Sequence, residues 1–158
     1  MTTAPDPSAG EVALNAEQEG PGPAVALAAR IRPVADDRDT GGFWEAARRG
    51  ELALRQCVSC GNFLHMPRAY CSACQSWETR WQPVSGRGRL YSYTVAEHQV
   101  HPAFPVPYTI VLVELDDAPG VRLVGSVPGA PELVIGQPME AWFERLGDEA
   151  VLPQWRPA

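Results

Sequence analysis

The sequence predicts a mainly β chain that starts with a short helix, continues into a zinc ribbon and ends in a five-stranded barrel of the OB type. Two Cys-x-x-Cys pairs predict the ribbon. After the second pair, about five segments of β character follow, separated by Gly or Pro and with no convincing helix among them, and these predict the barrel. With 158 residues, the chain is long enough for one domain together with a small metal module.

Residues 1–39 are predicted to form a disordered acidic tail. This stretch is rich in Ala, Pro and Gly and carries seven acidic residues against three arginines. Such a composition buries too little apolar surface to offset the entropy of ordering the chain. The sequence assigns no role to the tail.

Residues 40–56 are predicted to form the N-terminal helix and a strand that leads into the ribbon. Good helix formers occupy Phe43–Arg49, and Gly50 is a suitable stop. A helix this short is marginal in water, so its two aromatic residues must dock on something. Phe43 and Trp44 either attach the helix to the chain's own domain or anchor a partner subunit as interface hot spots. The sequence leaves both readings open.

The predicted ribbon spans residues 57–77 and contains all four cysteines of the chain: Cys57, Cys60, Cys71 and Cys74. A gap of two residues lets both sulfurs of a pair reach one ion, and two pairs supply the four thiolates of a tetrahedral Zn²⁺ site. The alternative, two disulfides, needs an oxidising compartment. Because four protein ligands leave no open position for water or substrate, the zinc is expected to be structural.

Residues 78–158 are predicted to form the barrel domain, with strands at 78–84, 86–96, 108–115, 121–127 and 139–146 and a short final strand at 151–152. The segment Glu97–Tyr108, which connects the second and third of these strands, differs most from an ordinary linker. It holds three prolines, two histidines, one Phe and one Tyr. A stiff aromatic loop of this kind either forms a wall of a ligand channel or is a crossover whose Phe104 plugs the end of the barrel.

Charge and composition exclude several classes of function. The net charge is −6, and all thirteen basic residues are arginines, which argues against a nucleic-acid partner and removes lysine chemistry. The chain shows no apolar run of the roughly 20 residues that a membrane span needs. Its N-terminus lacks the pattern of a signal peptide, so a cytoplasmic location is expected.

No signature of a catalytic nucleophile or of a phosphate-binding loop is present, so no catalytic residue is assigned. The only candidates for a general acid or base are His98 and His101, and neither has an obvious partner in the sequence. By elimination, the chain is interpreted as a binding or accessory module.

An ordered set of short motifs resembles the DUF35 family from about Thr40 to the C-terminus. The set comprises Phe43-Trp44-Glu45, Arg49-Gly50-Glu51-Leu52, Cys-x-x-Cys-Gly, Pro67-Arg68, Cys-x-x-Cys, Ser85-Gly86-x-Gly88, Tyr91-Ser-Tyr-Thr94, Pro107-Tyr108 and Arg156-Pro157. The resemblance implies a rubredoxin-like zinc ribbon followed by an OB-fold.

The resemblance also implies a non-catalytic accessory subunit of an acyl-CoA enzyme, and therefore a hetero-oligomer. Its partner would be a thiolase-superfamily protein: a thiolase, an acyltransferase or a lipid-transfer-protein-like aldolase of the kind found in steroid side-chain degradation. A MaoC-like enoyl-CoA hydratase is the alternative partner. Four residues become candidates for an acyl-CoA channel, namely His98, Phe104, Pro107 and Tyr108, while Phe43 and Trp44 gain weight as partner contacts.

A module that binds nucleic acid is the remaining alternative. Zinc ribbons and OB-folds both serve this purpose elsewhere, and Tyr91 and Tyr93 are suited to stacking on bases. The net negative charge disfavours this reading.

Overall fold

The structure is a computed structural model that describes residues 31–147 and 150–158. Most of the predicted acidic tail, residues 1–30, lies outside the described residues, as do Asp148 and Glu149 of the last predicted turn. Residues 31–39 contain no helix or strand.

One helix and eight strands make up the regular structure of the described residues, and they confirm the predicted mainly β fold. Their bounds are α1 Gly41–Arg48, β1 Leu52–Cys57, β2 Phe63–Leu64, β3 Thr79–Val84, β4 Arg87–Ala96, β5 Tyr108–Leu115, β6 Arg122–Pro128, β7 Pro138–Leu146 and β8 Ala150–Pro157. No helix within these residues is long and apolar enough to cross a membrane.

The ribbon is built on a three-stranded antiparallel sheet in the order β2-β1-β3. β3 pairs with β1 along its whole length, from Cys57 opposite Thr79 to Leu52 opposite Val84. The sequence placed residues 78–84 at the start of the barrel domain, whereas their backbone hydrogen bonds belong to the ribbon sheet. Periodicity predicts a strand but not its neighbour, which explains the difference.

The barrel consists of five antiparallel strands in the order β6-β5-β4-β7-β8, as expected for an OB-fold. A bulge between Leu90 and Ser92 shifts the pairing of β4 with β5. Such bulges bend and twist a strand, which helps a small sheet to curl into a barrel. β5 was predicted from its nearly continuous apolar sequence, yet its residues alternate between buried and half-buried.

A single apolar core joins the ribbon to the barrel. Leu52 and Leu54 on β1 belong to the same buried cluster as Val111, Met139 and Trp155 of the barrel. The first strand of the ribbon therefore lies on the barrel and does not stand apart from it. Burial of apolar surface, at about 25 cal/mol per Å², stabilises this contact.

The last strand, β8, is much longer than the two residues predicted from the sequence. It runs over eight residues and pairs with β7 from Leu146 opposite Ala150 to Met139 opposite Pro157. Pro153 and Pro157 argue against a central strand, but an edge strand tolerates proline wherever the missing N–H would point away from its neighbour. β8 is such an edge.

Candidate functional site: a cysteine cluster and an aromatic groove

Each cysteine pair lies in a tight loop, and the two loops have the same local geometry. In the first loop, the N–H of Gly61 donates to the carbonyl of Cys57 at 3.0 Å; in the second, the N–H of Gln75 donates to the carbonyl of Cys71 at 2.8 Å. Gly61 and Gln75 both have positive φ, +75° and +62°. This conformation suits glycine and is strained for glutamine.

The two loops bring the four predicted ligands together. All four sulfur atoms lie within 4.8 Å of one another. Cys57 Sγ is 3.5 Å from Cys74 Sγ, and Cys60 Sγ is 3.7 Å from Cys71 Sγ. A zinc ion about 2.3 Å from each sulfur of a tetrahedron would place the sulfurs about 3.8 Å apart. The cluster therefore fits a tetrahedral zinc ion, and His65, which lies between the pairs in sequence, is not part of it.

Backbone N–H groups in the loops prepare two of the sulfurs to act as thiolates. The N–H of Cys60 lowers the pKa of Cys57 to about 7, and the N–H of Cys74 lowers the pKa of Cys71. The N–H of Ser76 acts on Cys74 in the same sense, but the neighbouring sulfurs of Cys60 and Cys57 outweigh it and raise the pKa of Cys74 to about 12. The four neighbouring sulfurs therefore cannot all be thiolates without repelling one another, and a divalent cation bound among them would offset this repulsion.

A groove between β6 and β8 is lined by predicted functional residues from distant parts of the sequence. Phe43 and Trp44 from α1 line it together with Phe104 and Tyr108 from the proline-rich loop. Its volume is about 390 Å³. The sequence predicted the first pair as partner contacts and the second pair as channel residues; the structure places all four on one surface. We call this the β6–β8 groove; its other lining residues are Ile110, Leu123–Ser126 and Leu152–Trp155.

Contacts between rings fix the aromatic walls of this groove. Phe43 and Trp44 meet edge to face, with ring centroids 4.9 Å apart, and Phe104 lies 6.0 Å from Tyr108. Both are favourable aromatic geometries. The walls are therefore preorganised, which lowers the entropic cost of binding an apolar guest.

Two smaller cavities extend the groove at both ends. The first, about 150 Å³, lies between α1 and the ribbon and shares Phe43, Trp44 and Leu123 with the β6–β8 groove. The second, about 250 Å³, lies under the proline-rich loop and shares Phe104 and Tyr108 with it. Apolar surface thus continues from the ribbon to the loop.

The other residues predicted for the channel occupy different positions. Pro107 lines the cavity under the loop, where its carbonyl accepts a hydrogen bond from Gly129 N–H at 3.1 Å. His98 is exposed and lies outside the β6–β8 groove. The Nδ1 of His101 accepts a hydrogen bond from the N–H of Ala103 at 3.1 Å, so this histidine fixes the turn that leads to Phe104.

Tyr91, one of the two tyrosines suited to stacking on bases, already has a side chain over its ring. The guanidinium of Arg122 lies over the ring of Tyr91, 3.5 Å from its centroid, and also pairs with Glu114 at 2.8 Å. A base stacking on that face would have to displace the arginine. That face of Tyr91 is therefore unavailable to a base, whereas Tyr93, the second tyrosine, is exposed.

The sequence did not reveal that β6 and β8 border the groove, nor that Gln154 bridges them. The side-chain Oε1 of Gln154 accepts a hydrogen bond from the N–H of Ser126 at 2.7 Å, and its Nε2 donates to Glu144 at 3.1 Å. Gln154 is buried. A polar residue between two prolines near the C-terminus gives no local signal of such a role.

The fold and the cysteine cluster define a protein with a zinc ribbon and an OB-fold. Two family models match accordingly: the rubredoxin-like zinc ribbon domain of ChsH2 at residues 44–78 and the C-terminal OB-fold domain of ChsH2 at residues 81–144. A chain of the solved Ltp2-ChsH2(DUF35) aldolase is similar, with 37% identity and a TM-score of 0.73 over 80% of this chain and 98% of that one. The chain belongs to the DUF35 family, as its motifs predicted.

Further relatives agree with this assignment. A DUF35 protein of unknown function from Sulfolobus solfataricus has the same fold, with a TM-score of 0.52 at 14% identity. Among curated proteins, a probable enoyl-CoA hydratase alpha subunit of Thermomonospora curvata is 39% identical over 133 residues, which is 83% of this chain and 41% of that protein. The 3-oxo-4,17-pregnadiene-20-carboxyl-CoA hydratase alpha subunit of Mycobacterium tuberculosis is 32% identical over 82% of this chain and 40% of its own length. The chain thus spans about two fifths of the length of these curated relatives.

Proposed function

We propose that this chain is a non-catalytic accessory subunit that pairs with a thiolase-superfamily aldolase resembling Ltp2 and helps to form its acyl-CoA channel. The observation that carries the proposal is the similarity to a chain of the Ltp2-ChsH2(DUF35) aldolase, which extends over 98% of that chain. The β6–β8 groove supports it, because candidate partner contacts and candidate channel residues meet there.

In this proposal, zinc has a structural role. Cys57, Cys60, Cys71 and Cys74 hold the ion and close the ribbon, which β1 fixes to the barrel core. With four protein ligands the ion offers no position to a substrate. The ribbon therefore holds α1 and the groove in place and takes no part in the reaction.

Within the groove, the aromatic residues have two tasks. Trp44 is half-buried in the lining of the groove and presents the kind of side chain that dominates the energy of protein interfaces. Phe104 and Tyr108 supply apolar wall next to the loop, where the flexible pantetheine arm of a CoA thioester would be ordered at reduced entropic cost.

Co-expression with an Ltp2-type aldolase subunit tests the proposal. We expect a stable complex on gel filtration, and we expect Trp44→Ala to weaken it by at least 30-fold, the effect of about 2 kcal/mol at a hot spot. Trp77→Ala is the matched control, because Trp77 is 71% exposed on the ribbon and lies outside the groove. If wild type forms no complex, or if only Trp77→Ala weakens it, the proposal is wrong.

The names of the curated relatives favour a second candidate partner, an enoyl-CoA hydratase subunit. Because the chain spans only two fifths of those relatives, the similarity does not carry their activity over to this chain. Mass spectrometry of the proteins that copurify with the tagged chain from its own cells distinguishes the candidates. A hydratase recovered in stoichiometric amount without an aldolase would select the second one.

A further inference from the structure

The two edges of the barrel sheet differ in how exposed their outward-facing residues are. β6 and β8 are the terminal strands of the order β6-β5-β4-β7-β8. Each has a neighbour on one side only, so every second residue points its backbone N–H and C=O away from the sheet. The groove described above lies between these two edges.

Prolines protect the edge of β8. Ala158 N–H donates to the carbonyl of Pro138 at 3.2 Å, which sets the alternation along the ladder with β7. By this alternation, residues 151, 153, 155 and 157 face away from β7. Two of these four, Pro153 and Pro157, have no N–H to offer, and the other two, Val151 and Trp155, are buried. Proline on an edge is a common protection against added strands.

The edge of β6 lacks this protection at its centre. Leu115 N–H donates to the carbonyl of Val121 at 3.1 Å, so residues 122, 124, 126 and 128 face away from β5. Only the last of them, Pro128 at the end of the strand, lacks an N–H. Ser126 N–H is held by the side chain of Gln154, as described above. Among the described residues, no hydrogen bond uses the N–H or C=O of Val124.

Val124 also has the exposure of a contact residue. Its side chain is 67% exposed, although most β-branched residues on this barrel are covered. It lines the β6–β8 groove, to which Trp44 and Trp155 also contribute. Apolar surface and an unpaired backbone donor and acceptor thus occur at the same place.

We propose that the edge of β6 at Val124 pairs with one extended apolar strand of the partner subunit, which lies in the β6–β8 groove. Val124 exchanges two hydrogen bonds with one residue of that strand, as in a narrow antiparallel pair, and the neighbouring side chains of the strand contact the wall formed by Phe43 and Trp44, which leaves Phe104 and Tyr108 to the acyl-CoA. The stretch Leu123–Ser126 is about 13 Å long, enough for about four residues of extended chain. This inference rests on the proposed pairing with an aldolase subunit.

The chemistry of the edge selects this occupant over others. A helix has no free backbone groups along its length to pair with Val124. A second copy of this chain would have to offer its own β6, which lies inside a groove walled by its own α1 and β8. One separate strand fits a groove of about 390 Å³, whereas a second barrel does not.

Hydrogen exchange with the intact chain and an Ltp2-type aldolase subunit tests this inference directly. We expect the amide of Val124 to exchange at least tenfold more slowly in the complex than in the free chain, while the amide of Trp77, an exposed ribbon residue outside the groove, remains unchanged. No protection of Val124 in a complex that does form would overturn the strand pairing and leave the proposed function intact. Failure of wild type to form any complex would overturn both.

Substitution at the same position provides the second measurement. Val124→Pro removes the donor and places a ring at the edge, so we expect the dissociation constant to rise about tenfold or more, the equivalent of about 1.4 kcal/mol. Val124→Thr keeps the N–H and the β-branched shape, and we expect less than a threefold change. Equal loss in both variants, or no loss in Val124→Pro, contradicts the proposal. A wild-type dimer that Val124→Pro converts to a monomer would favour pairing between two copies instead.

Discussion

The contact between Gly42 and Trp81 gives a sharp test of how α1 is attached to the ribbon. A Cβ at Gly42 would overlap the indole of Trp81 at Nε1, Cε2 and Cδ1. Gly42 therefore lets the helix approach β3 as closely as it does. We expect Gly42→Ala to push α1 away from the ribbon sheet and to reduce the free energy of unfolding.

The neighbouring glycine supplies a matched control for the magnitude. A Cβ at Gly41 meets the carbonyl oxygen of Ala35 at 3.4 Å and the carbonyl carbon of Asp36 at 3.9 Å, and both are ordinary contacts. Both glycines lie in the first turn of α1, so replacement by Ala gains up to about 1 kcal/mol of helix propensity at either position. Overpacking costs about 1 to 3 kcal/mol at Gly42 only. The gain in helix propensity cancels when the free energies of unfolding of the two variants are subtracted. We expect Gly42→Ala to be less stable than Gly41→Ala by about 1 to 3 kcal/mol.

Urea unfolding followed by circular dichroism measures this difference. Trp81→Leu provides a further check, because once the indole is absent, Gly42→Ala should lose most of its penalty in a double-mutant cycle. If Gly42→Ala and Gly41→Ala are equally stable, or if the penalty persists without the indole, the close packing of α1 on Trp81 does not hold the helix. The same pair of variants separates the stability of α1 from partner binding through Trp44.

Two further predictions concern the cysteine loops. Elemental analysis of the purified chain should give one zinc per chain. Removal of zinc by a chelator or by Cys57→Ser should lower the melting temperature of the chain before it affects turnover of the assembled complex. A metal-free chain with unchanged melting temperature and assembly would contradict a structural site. Gln75→Gly should stabilise the folded chain by about 1 kcal/mol, because glutamine is strained at φ +62°, whereas Gly61→Ala at the equivalent position of the first loop should destabilise it by a similar amount. Thermal unfolding of the zinc-loaded variants measures both, and a destabilising Gln75→Gly would refute the argument.

Local sequence signals predicted those parts of the structure that depend on nearby residues. The spacing of the cysteines predicted a cluster because two-residue gaps and one tight loop per pair bring the sulfurs together with little help from the rest of the chain. Strands such as Tyr108–Leu115 followed from their composition. The DUF35 resemblance rested on short motifs in a fixed order, and the family models and the structural neighbour confirm it.

Features that depend on pairing between distant segments were not predictable in this way. Most of β8 was missed beyond the predicted residues 151–152, because Pro153 and Pro157 count against a strand until its edge position is known. The assignment of β3 to the ribbon sheet depends on which strand it meets, and no periodicity contains that information. Phe43 and Phe104 lie 61 positions apart, so their common groove appears only when the curled sheet brings β6 and β8 near each other.

The shared core of ribbon and barrel limits where chimeric proteins can be joined within this family. Leu52 and Leu54 lie in the ribbon sheet yet contribute their side chains to the barrel. A chimera joined between residues 77 and 78 would take β1 from one parent and β3 from the other. Leu52 and Leu54 of the first parent would then have to pack against barrel residues of the second. Exchange between relatives should therefore succeed when the junction precedes α1, so that helix, ribbon and barrel are inherited as one unit.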